Sequence, residues 1–266
     1  MSVIRFLSFA VILLILISTV FAQPYSIKGQ LWVSGGLIEN QSNFMMDIGY
    51  VPTVSAYYNL RNGRMIDLEW GYRLDRSYSG NSLTLKNANN YRYWVRYSSD
   101  KLEARVGLQK IVFGPSLVLR SLSWFDTIDQ KDPTRKTDGV EAFRMRWFPA
   151  SSLSLWTWAI LNDQDTLSYG GRGELSTNIG NFGFTYHQDP SKYLQMIGQS
   201  SIPISGPHYR LAIDYRYDGF IGLWNESAMI KYDRLELDMI TVGADYTLPI
   251  SNGIPIMTES IYISSK

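Results

Sequence analysis

The sequence predicts an all-β fold, namely an antiparallel up-and-down transmembrane β-barrel. Three observations predict it. Apolar and polar residues alternate in many segments of about ten residues. Short turns between these segments alternate with longer connections. The chain also opens on a sequence that is typical of an exported protein.

The segment "MIDLEWGYRL" (65–74) shows the alternation most clearly. Every second residue from Ile66 to Leu74 is large and apolar, and the residues between them include three charged ones. Successive side chains of a strand point to opposite faces, so one face is apolar and the other charged. In a soluble sandwich the charged face would meet bulk water, whereas in a membrane barrel it would line a wet interior.

The same alternation predicts thirteen strands across the chain. They are placed near residues 25–36, 46–58, 64–74, 90–98, 101–112, 139–147, 152–160, 169–177, 180–188, 208–217, 220–230, 237–248 and 254–264. Most of these segments have the length of a tilted strand that crosses a bilayer.

The connections favour the barrel over the sandwich. Those after every second strand are short and rich in turn residues, such as "NLRNG", "SSD", "IG" and "DG". Those after the other strands are mostly longer, including 75–89, 113–138 and 188–207. Outer-membrane barrels show this asymmetry, with short periplasmic turns and longer external loops. A sandwich has no need of it.

The first 22 residues read as a signal peptide. Arg5 is followed by an apolar run to Val20, and Val20-Phe21-Ala22 suits cleavage before Gln23. The alternative is an uncleaved anchor, for which the run is short. The predicted domains are therefore a signal peptide at 1–22 and a barrel at 23–266, with the bacterial outer membrane as its location.

Composition agrees with an exported barrel. The chain contains no Cys, and aromatic residues make up 14% of it, which suits the two interfaces of a bilayer. The net charge of +1 gives no indication of a nucleic-acid partner. Because "IYISSK" still reads as a strand and bacterial single-chain barrels have an even strand number, we expect a fragment of a barrel of roughly 16–18 strands, with the reading frame continuing beyond Lys266.

The polar faces of the strands supply the predicted pore lining. The predicted pore-lining residues are Asp67, Glu69, Arg73, Arg92, Arg96, Glu103, Arg105, Gln109, Arg144, Arg146, Arg210, Asp214, Arg216 and Asp245, and Glu226 and Glu259 fall on the same face. One interpretation is a water-filled pore whose arginines favour anionic or sugar-like solutes. The other is a plugged barrel in which neighbouring strands pair opposite charges.

The connection "FGPSLVLRSLSWFDTIDQKDPTRKTD" (113–138) is too long and too apolar for an ordinary solvated loop. One possibility is that it folds inward as a constriction, and the other is that it forms an external lid. The candidate constriction residues are Asp126, Asp129, Lys131, Asp132, Arg135 and Lys136. The spacing of the three Asp residues matches no calcium loop, so no metal or cofactor is predicted.

"RVGLQKIVFGPSLVLRSLSWFD…DGVEAFRMRWFP", with "GLWNES" and "VGADYTL" further on, resembles segments of porin-like barrels of the alginate-export and capsule-assembly type. The resemblance covers about residues 100–265 and bears on the fold more than on a substrate. It implies that Arg105, Gln109, Arg144 and Arg146 lie along a solute path.

No pattern of an enzyme is present, because the chain lacks the Ser, zinc and phosphate-loop motifs of hydrolases and NTPases. His187 and His208 end two neighbouring strands; they suit either two rim histidines in an aromatic girdle or, less simply, a metal site or base.

The sequence therefore favours a porin-like channel for small polar or anionic solutes. The alternative is a non-conducting surface barrel that binds a polysaccharide. Outer-membrane lipid and lipopolysaccharide are the expected surroundings, and basic residues in the predicted external loops suit either an acidic glycan or lipopolysaccharide phosphates. The oligomeric state is not readable from the sequence.

Overall fold

The structure is a computed structural model that describes residues 25–37, 44–126, 128, 137–162, 164–198, 201–250 and 252–266. The predicted signal peptide at 1–22 lies outside the described residues. Among the described residues, no helix is long and apolar enough to cross a membrane.

The described part of the chain is built from fifteen strands joined by turns. They are β1 (Tyr25–Leu37), β2 (Phe44–Asn59), β3 (Met65–Ser79), β4 (Ser82–Ser98), β5 (Leu102–Gln109), β6 (Val140–Ala150), β7 (Leu153–Leu161), β8 (Leu167–Thr177), β9 (Gly180–Asp189), β10 (Leu194–Ile197), β11 (Ile202–Ser205), β12 (His208–Asp218), β13 (Gly222–Tyr232), β14 (Leu235–Leu248) and β15 (Ile254–Ser265).

Thirteen of these strands form one sheet in the order β1-β2-β3-β4-β5-β6-β7-β8-β9-β12-β13-β14-β15. The pairs β1–β2 and β2–β3 and the successive pairs from β4 to β15 in this sheet are antiparallel. Neighbours in the sheet follow one another along the chain apart from the β10–β11 hairpin. The predicted all-β, antiparallel up-and-down fold with thirteen strands is confirmed.

The chain divides into two compact units, Met1–Asn90 and Tyr91–Lys266. In the N-terminal unit, β1 pairs with β2 along its whole length, and β2 continues into β3 through a tight turn. Asn62 and Gly63 both have positive φ in that turn, at 61° and 68°. Asn-Gly is the preferred dipeptide for such a turn because a positive φ costs little free energy for either residue.

The connection that the sequence analysis placed at 75–89 is not a long loop. β3 runs on to Ser79 and β4 starts at Ser82, so only a two-residue turn at Gly80 and Asn81 separates them. The stretch "DRSYSGNSLTLKNAN" was not predicted as strand because polar side chains occupy both of its faces, so apolar and polar residues do not alternate. This corrects the prediction of a long connection there.

Two other strand predictions also change. β5 ends at Gln109 rather than at 112, because the buried amide of Gln109 donates to the carbonyl of Ala142 (2.8 Å) and the chain then leaves the sheet. The connection 188–207 contains a hairpin of its own, in which β10 pairs with β11.

In the C-terminal unit the polarity of the sheet is reversed relative to a soluble protein. On β6, Arg144 is 7% exposed while the neighbouring Phe143 is 47% exposed. The same holds on β12, where Arg210 and Asp214 are buried and Ile213 is exposed. Charged side chains therefore point to the inside of this unit and large apolar ones to its outside, as the alternation predicted.

Residues 110–126 lie against the inner face of this unit; we call them the inward segment. Ile111, Phe113 and Leu122 are buried there in one apolar cluster with Trp158 of β7 and Ile230 of β13. The clustered residues come from opposite parts of the strand order, so the sheet of this unit curves around the inward segment.

Candidate functional site

The inner face of the C-terminal unit is the candidate site, and its first feature is a group of arginines on β4, β5 and β6. Arg105 and Arg144 are direct cross-strand partners. Like charges in that position repel each other. Glu103 offsets the repulsion, since its carboxylate lies 2.7 Å from Arg144, 3.7 Å from Arg105 and 3.5 Å from Arg96. Three guanidinium groups thus lie within 4 Å of one carboxylate.

Aromatic rings support these arginines. The guanidinium of Arg105 lies 4.2 Å from the ring centre of Trp94, and that of Arg146 lies 3.9 Å from the ring centre of Trp156. A guanidinium over an aromatic face gains about 0.5–2 kcal/mol and keeps its charge. We call Arg96, Arg105, Arg144 and Arg146 the basic wall.

Arg146 has the weakest acidic partner in the basic wall, with Glu174 3.8 Å away, and about a quarter of its side chain is exposed. It is therefore the member whose charge is most available to a solute. Among the described residues, the Nε atoms of Arg144 and Arg146 are buried without a hydrogen bond.

A second group of charges lies on β8, β9 and β12. Arg172 donates to both carboxylate oxygens of Asp214, at 2.5 and 2.9 Å, and to the hydroxyl of Thr185 at 2.6 Å. It also reaches Glu174 at 2.8 Å. These groups are compensated by one another, so this part of the inner face is structural in character.

Arg210 lies on the inner face of β12, two inward positions from Asp214 towards the end of the unit that carries the long connections. It donates to Nε2 of His208 at 2.9 Å and to the carbonyl of Trp124 at 3.3 Å, and it lies 3.9 Å from Asp189. Arg210 thus connects β12 to the inward segment through its hydrogen bond to Trp124.

Two carboxylates anchor the inward segment. Glu226 on β13, which is fully buried, accepts from the backbone N–H groups of Ser116 (2.8 Å) and Leu122 (3.0 Å). Glu259 on β15 accepts from three successive backbone N–H groups, those of Leu117, Val118 and Leu119, at 2.7–2.9 Å. Such hydrogen bonds to a charged acceptor are each stronger than a neutral one.

Aromatic contacts hold the two ends of the inward segment on the opposite wall. Phe113 lies 5.0 Å from Trp158, and Phe125 lies 4.7 Å from His187, measured between ring centres. Of the two folds considered for residues 113–138, the described part takes the inward one.

The remaining predicted pore-lining residues lie in both units. Asp67, Glu69 and Arg73 lie on the polar face of β3 in the N-terminal unit, where Arg73 contacts Asp75 at 2.5 Å. Arg92 is buried and donates to the carbonyl of Thr137 (2.7 Å). Arg216 reaches Asp245 at 3.4 Å.

Of the candidate constriction residues, only Asp126 is described. It is buried and forms a two-bond ion pair with Arg120. It therefore stabilises the inward segment from within rather than standing at a tip. Asp129, Lys131, Asp132, Arg135 and Lys136 lie outside the described residues.

The two histidines lie where β9 ends and the paired strand β12 begins, and His187 packs against the rings of Phe125 and Trp158. His187 and His208 are both buried on the inner face, and Nδ1 of His187 accepts from the indole of Trp158 at 3.2 Å. Within the described ranges, no group of three or more metal-ligating side chains occurs.

Several inner-face residues were not predicted from the sequence, chiefly Arg172, Glu174, Trp156 and Trp158. The signal was present in part, because Arg172 and Glu174 are two residues apart on one face of β8. The glycines of "YGGRGELST" obscured it by interrupting the apolar face.

Comparison with known proteins gives only distant similarities. No protein-family model matches the chain, and no curated protein matches it. Among solved structures, the chain is similar to a mutant of Rh. blastica porin (9% identity, TM-score 0.42, 91% of this chain and 98% of that one). It is also similar to Salmonella typhi OmpF in complex with daunomycin (8%, 0.38, 90% and 96%) and to Pseudomonas putida OprB at low pH (9%, 0.35, 91% and 89%).

Similarities as weak as these do not assign a function to this chain. The resemblance to alginate-export and capsule-assembly barrels stays a prediction.

Proposed function

We propose that this chain is an outer-membrane, porin-like channel for the passive passage of small polar or anionic solutes. The observation that carries the proposal is the reversed polarity of the C-terminal unit. A row of charged side chains on the inside and a band of exposed aromatic and aliphatic side chains on the outside suit a lipid surround and a wet interior. In this proposal, residues 1–22 direct export and are removed.

The basic wall gives the channel its preference for anions. Its four arginines lie on the inner face of β4, β5 and β6, and the carboxylates of Glu103 and Glu174 lie within 4 Å of them. Fixed positive charges along a pore raise the local concentration of anions and lower their barrier to passage.

The inward segment supports a second candidate, a barrel that does not conduct and instead binds a polysaccharide. Its residues Ile111, Phe113 and Leu122 fill the interior with apolar side chains, so they restrict the space for water. The two candidates differ in whether an aqueous path remains beside the inward segment.

Conductance measurement separates them. The complete protein without residues 1–22 is refolded in detergent, its folding is checked by its heat-sensitive gel mobility, and it is inserted into a planar bilayer under a salt gradient. Steady ohmic openings with an anion-biased reversal potential are the expected result. A silent bilayer with folded protein contradicts the channel and favours the polysaccharide-binding barrel.

A further inference from the structure

We propose that a cavity of the C-terminal unit binds a neutral polyhydroxylated solute, such as a sugar or a sugar alcohol. The choice of a permeating solute as occupant rests on the proposed channel function. The cavity, which we call the rim cavity, lies where β6 and β12 begin and β7 and β9 end, beside the β10–β11 hairpin and the inward segment.

The rim cavity has the size of a small-molecule site. Its volume is about 810 Å³, within the range of roughly 300–1,000 Å³ that ligand sites occupy. Buried residues such as Trp124 and Arg210 line its inner part, and exposed ones such as Gln164 and Asp165 line its mouth. Among the described residues, the cavity thus extends from exposed to buried side chains.

Four side-chain atoms in its wall are buried without a hydrogen bond among the described residues, and they belong to Trp124, His187, Tyr193 and Gln195. Among the described residues, the indole N–H of Trp124 and the hydroxyl of Tyr193 are buried without any hydrogen bond, and Trp124 is only 5% exposed. Burying such a group unsatisfied is costly, so a ligand or an ordered water is expected to meet it. The indole can only donate, so the occupant must offer an acceptor.

The charges of the rim cavity disfavour an anion. Among the described residues, one guanidinium lines it, that of Arg210, and five carboxylates, of which Asp126 is paired with Arg120; the carboxylates are those of Asp126, Asp138, Glu141, Asp165 and Asp189. Arg210 is already engaged with His208 and with the carbonyl of Trp124. An anionic solute would meet net repulsion in this cavity, in contrast to the basic wall.

A simple cation is no better suited. The innermost carboxylate, Asp126, is neutralised by Arg120, and Asp189 accepts from the backbone N–H of Ser191 at 2.9 Å. An ammonium group carries donors only and would leave the indole N–H of Trp124 unsatisfied. A hydroxyl group both donates and accepts, so a polyol can satisfy the indole and a carboxylate together.

The aromatic side chains complete the site. Trp124 and Phe125 line the same cavity with ring centres 6.4 Å apart, at nearly a right angle. The two rings add apolar surface to the cavity wall against which C–H groups of a sugar can pack, while the polar groups around them bind its hydroxyls. Ligand sites commonly combine apolar walls with a few placed polar groups in this way.

The test titrates maltose into the folded full chain in detergent by calorimetry and, separately, measures maltose block of the channel current in a bilayer. Gluconate and putrescine serve as the anionic and cationic probes. Y193F removes one hydroxyl and W124F removes one N–H while keeping an aromatic ring. Y217F, at the opposite end of β12, and W147F, on the outer face, are the matched controls.

We expect saturable binding of maltose, with neither gluconate nor putrescine binding as tightly. Loss of one hydrogen bond is expected to weaken binding about two- to tenfold in Y193F and in W124F, while both controls bind as the unchanged protein does. The binding result for W124F is interpreted only if its gel mobility shows that the variant is folded. Y193F tests the same site independently of that condition.

Different results would contradict the channel proposal and the rim-cavity proposal. A channel that conducts without any saturable effect of maltose overturns the rim-cavity proposal and leaves the channel intact. Binding of maltose that is weakened by Y193F, in a protein that never conducts, overturns the channel and keeps the site. Tighter binding of gluconate or putrescine than of maltose, or equal binding by Y193F and the unchanged protein, also overturns the rim-cavity proposal.

Discussion

At the scale of single residues, Arg172 and Asp214 show how charges are held inside this protein. Their carboxylate–guanidinium pair has two hydrogen bonds, and both side chains are almost completely buried. Removing one partner of such a pair leaves a buried charge without compensation, whereas replacing both with apolar residues is often tolerated.

We therefore expect Arg172→Met to lower the free energy of unfolding by about 3–5 kcal/mol, and Arg172→Met with Asp214→Leu to recover part of that loss. Urea unfolding in detergent, followed by tryptophan fluorescence, measures both. A double variant that is as unstable as the two single variants added together would contradict direct coupling of the two charges.

Gly114 is a second decisive residue, because it lets the inward segment approach Glu226. Its φ is +79°, and a Cβ at this position would lie only 2.1 Å from Oε1 of Glu226. Any other residue would therefore strain the backbone and push against the carboxylate that anchors Ser116 and Leu122.

Gly114→Ala is expected to loosen the inward segment and to raise trypsin cleavage after Arg120 severalfold in folded, detergent-solubilised protein. Gly36→Ala is the matched control, because a Cβ there meets no atom within 4 Å. Equal cleavage of the two variants would mean that Gly114 does not determine the position of the segment.

At the scale of elements, the inward segment depends on strands that are far from it in sequence. Glu259 reaches it from β15 through three backbone N–H groups and also accepts from the indole of Trp224 at 3.2 Å. A glutamine there keeps the shape but has one acceptor oxygen and two donors, which face existing donors.

Glu259→Gln is therefore expected to increase the open-channel noise and the mean conductance, because the segment is held less firmly over the path. Single-channel recording measures both. Glu236→Gln, which alters only a loose pair with Lys231 at 3.8 Å, is the control and should behave as the unchanged protein does. A conductance unchanged in Glu259→Gln would place the segment away from the solute path.

The element scale also shows where period-two alternation fails as a guide. It predicted the positions of β5 and β6, in which apolar and polar residues alternate regularly. It placed the end of β3 and the start of β4 several residues away from where the structure has them. Residues 75–90 carry polar side chains on both faces, so their pairing depends on backbone hydrogen bonds rather than on a buried face. No local pattern marks such strands.

At the scale of the whole molecule, the basic wall should set the ion selectivity. Arg146→Gln removes the charge with the weakest acidic partner. The reversal potential under a salt gradient is therefore expected to shift measurably towards lower anion selectivity. Arg64→Gln, an exposed substitution in the β2–β3 turn, is the control of equal charge change. Identical reversal potentials in the two variants would exclude the basic wall as the selectivity filter.

The sequence by itself determined the class of fold and the face of most side chains. Side-chain direction in a strand has a period of two residues, so Arg144, Arg210 and Asp214 could be assigned to the inner face from their neighbours alone. The number of strands in the main sheet followed from the same local rule.

Only the tertiary structure decided which of these charged side chains pair with other groups of the protein and which remain available to a solute. Arg172 is bonded to Asp214, and Glu259 is bonded to Leu117, across residues that are distant in the chain. The rim cavity likewise exists because Trp124 and Tyr193 come together from separate connections. These pairings depend on how the sheet curves around the inward segment, and curvature is a property of all the strands together rather than of any one stretch of sequence.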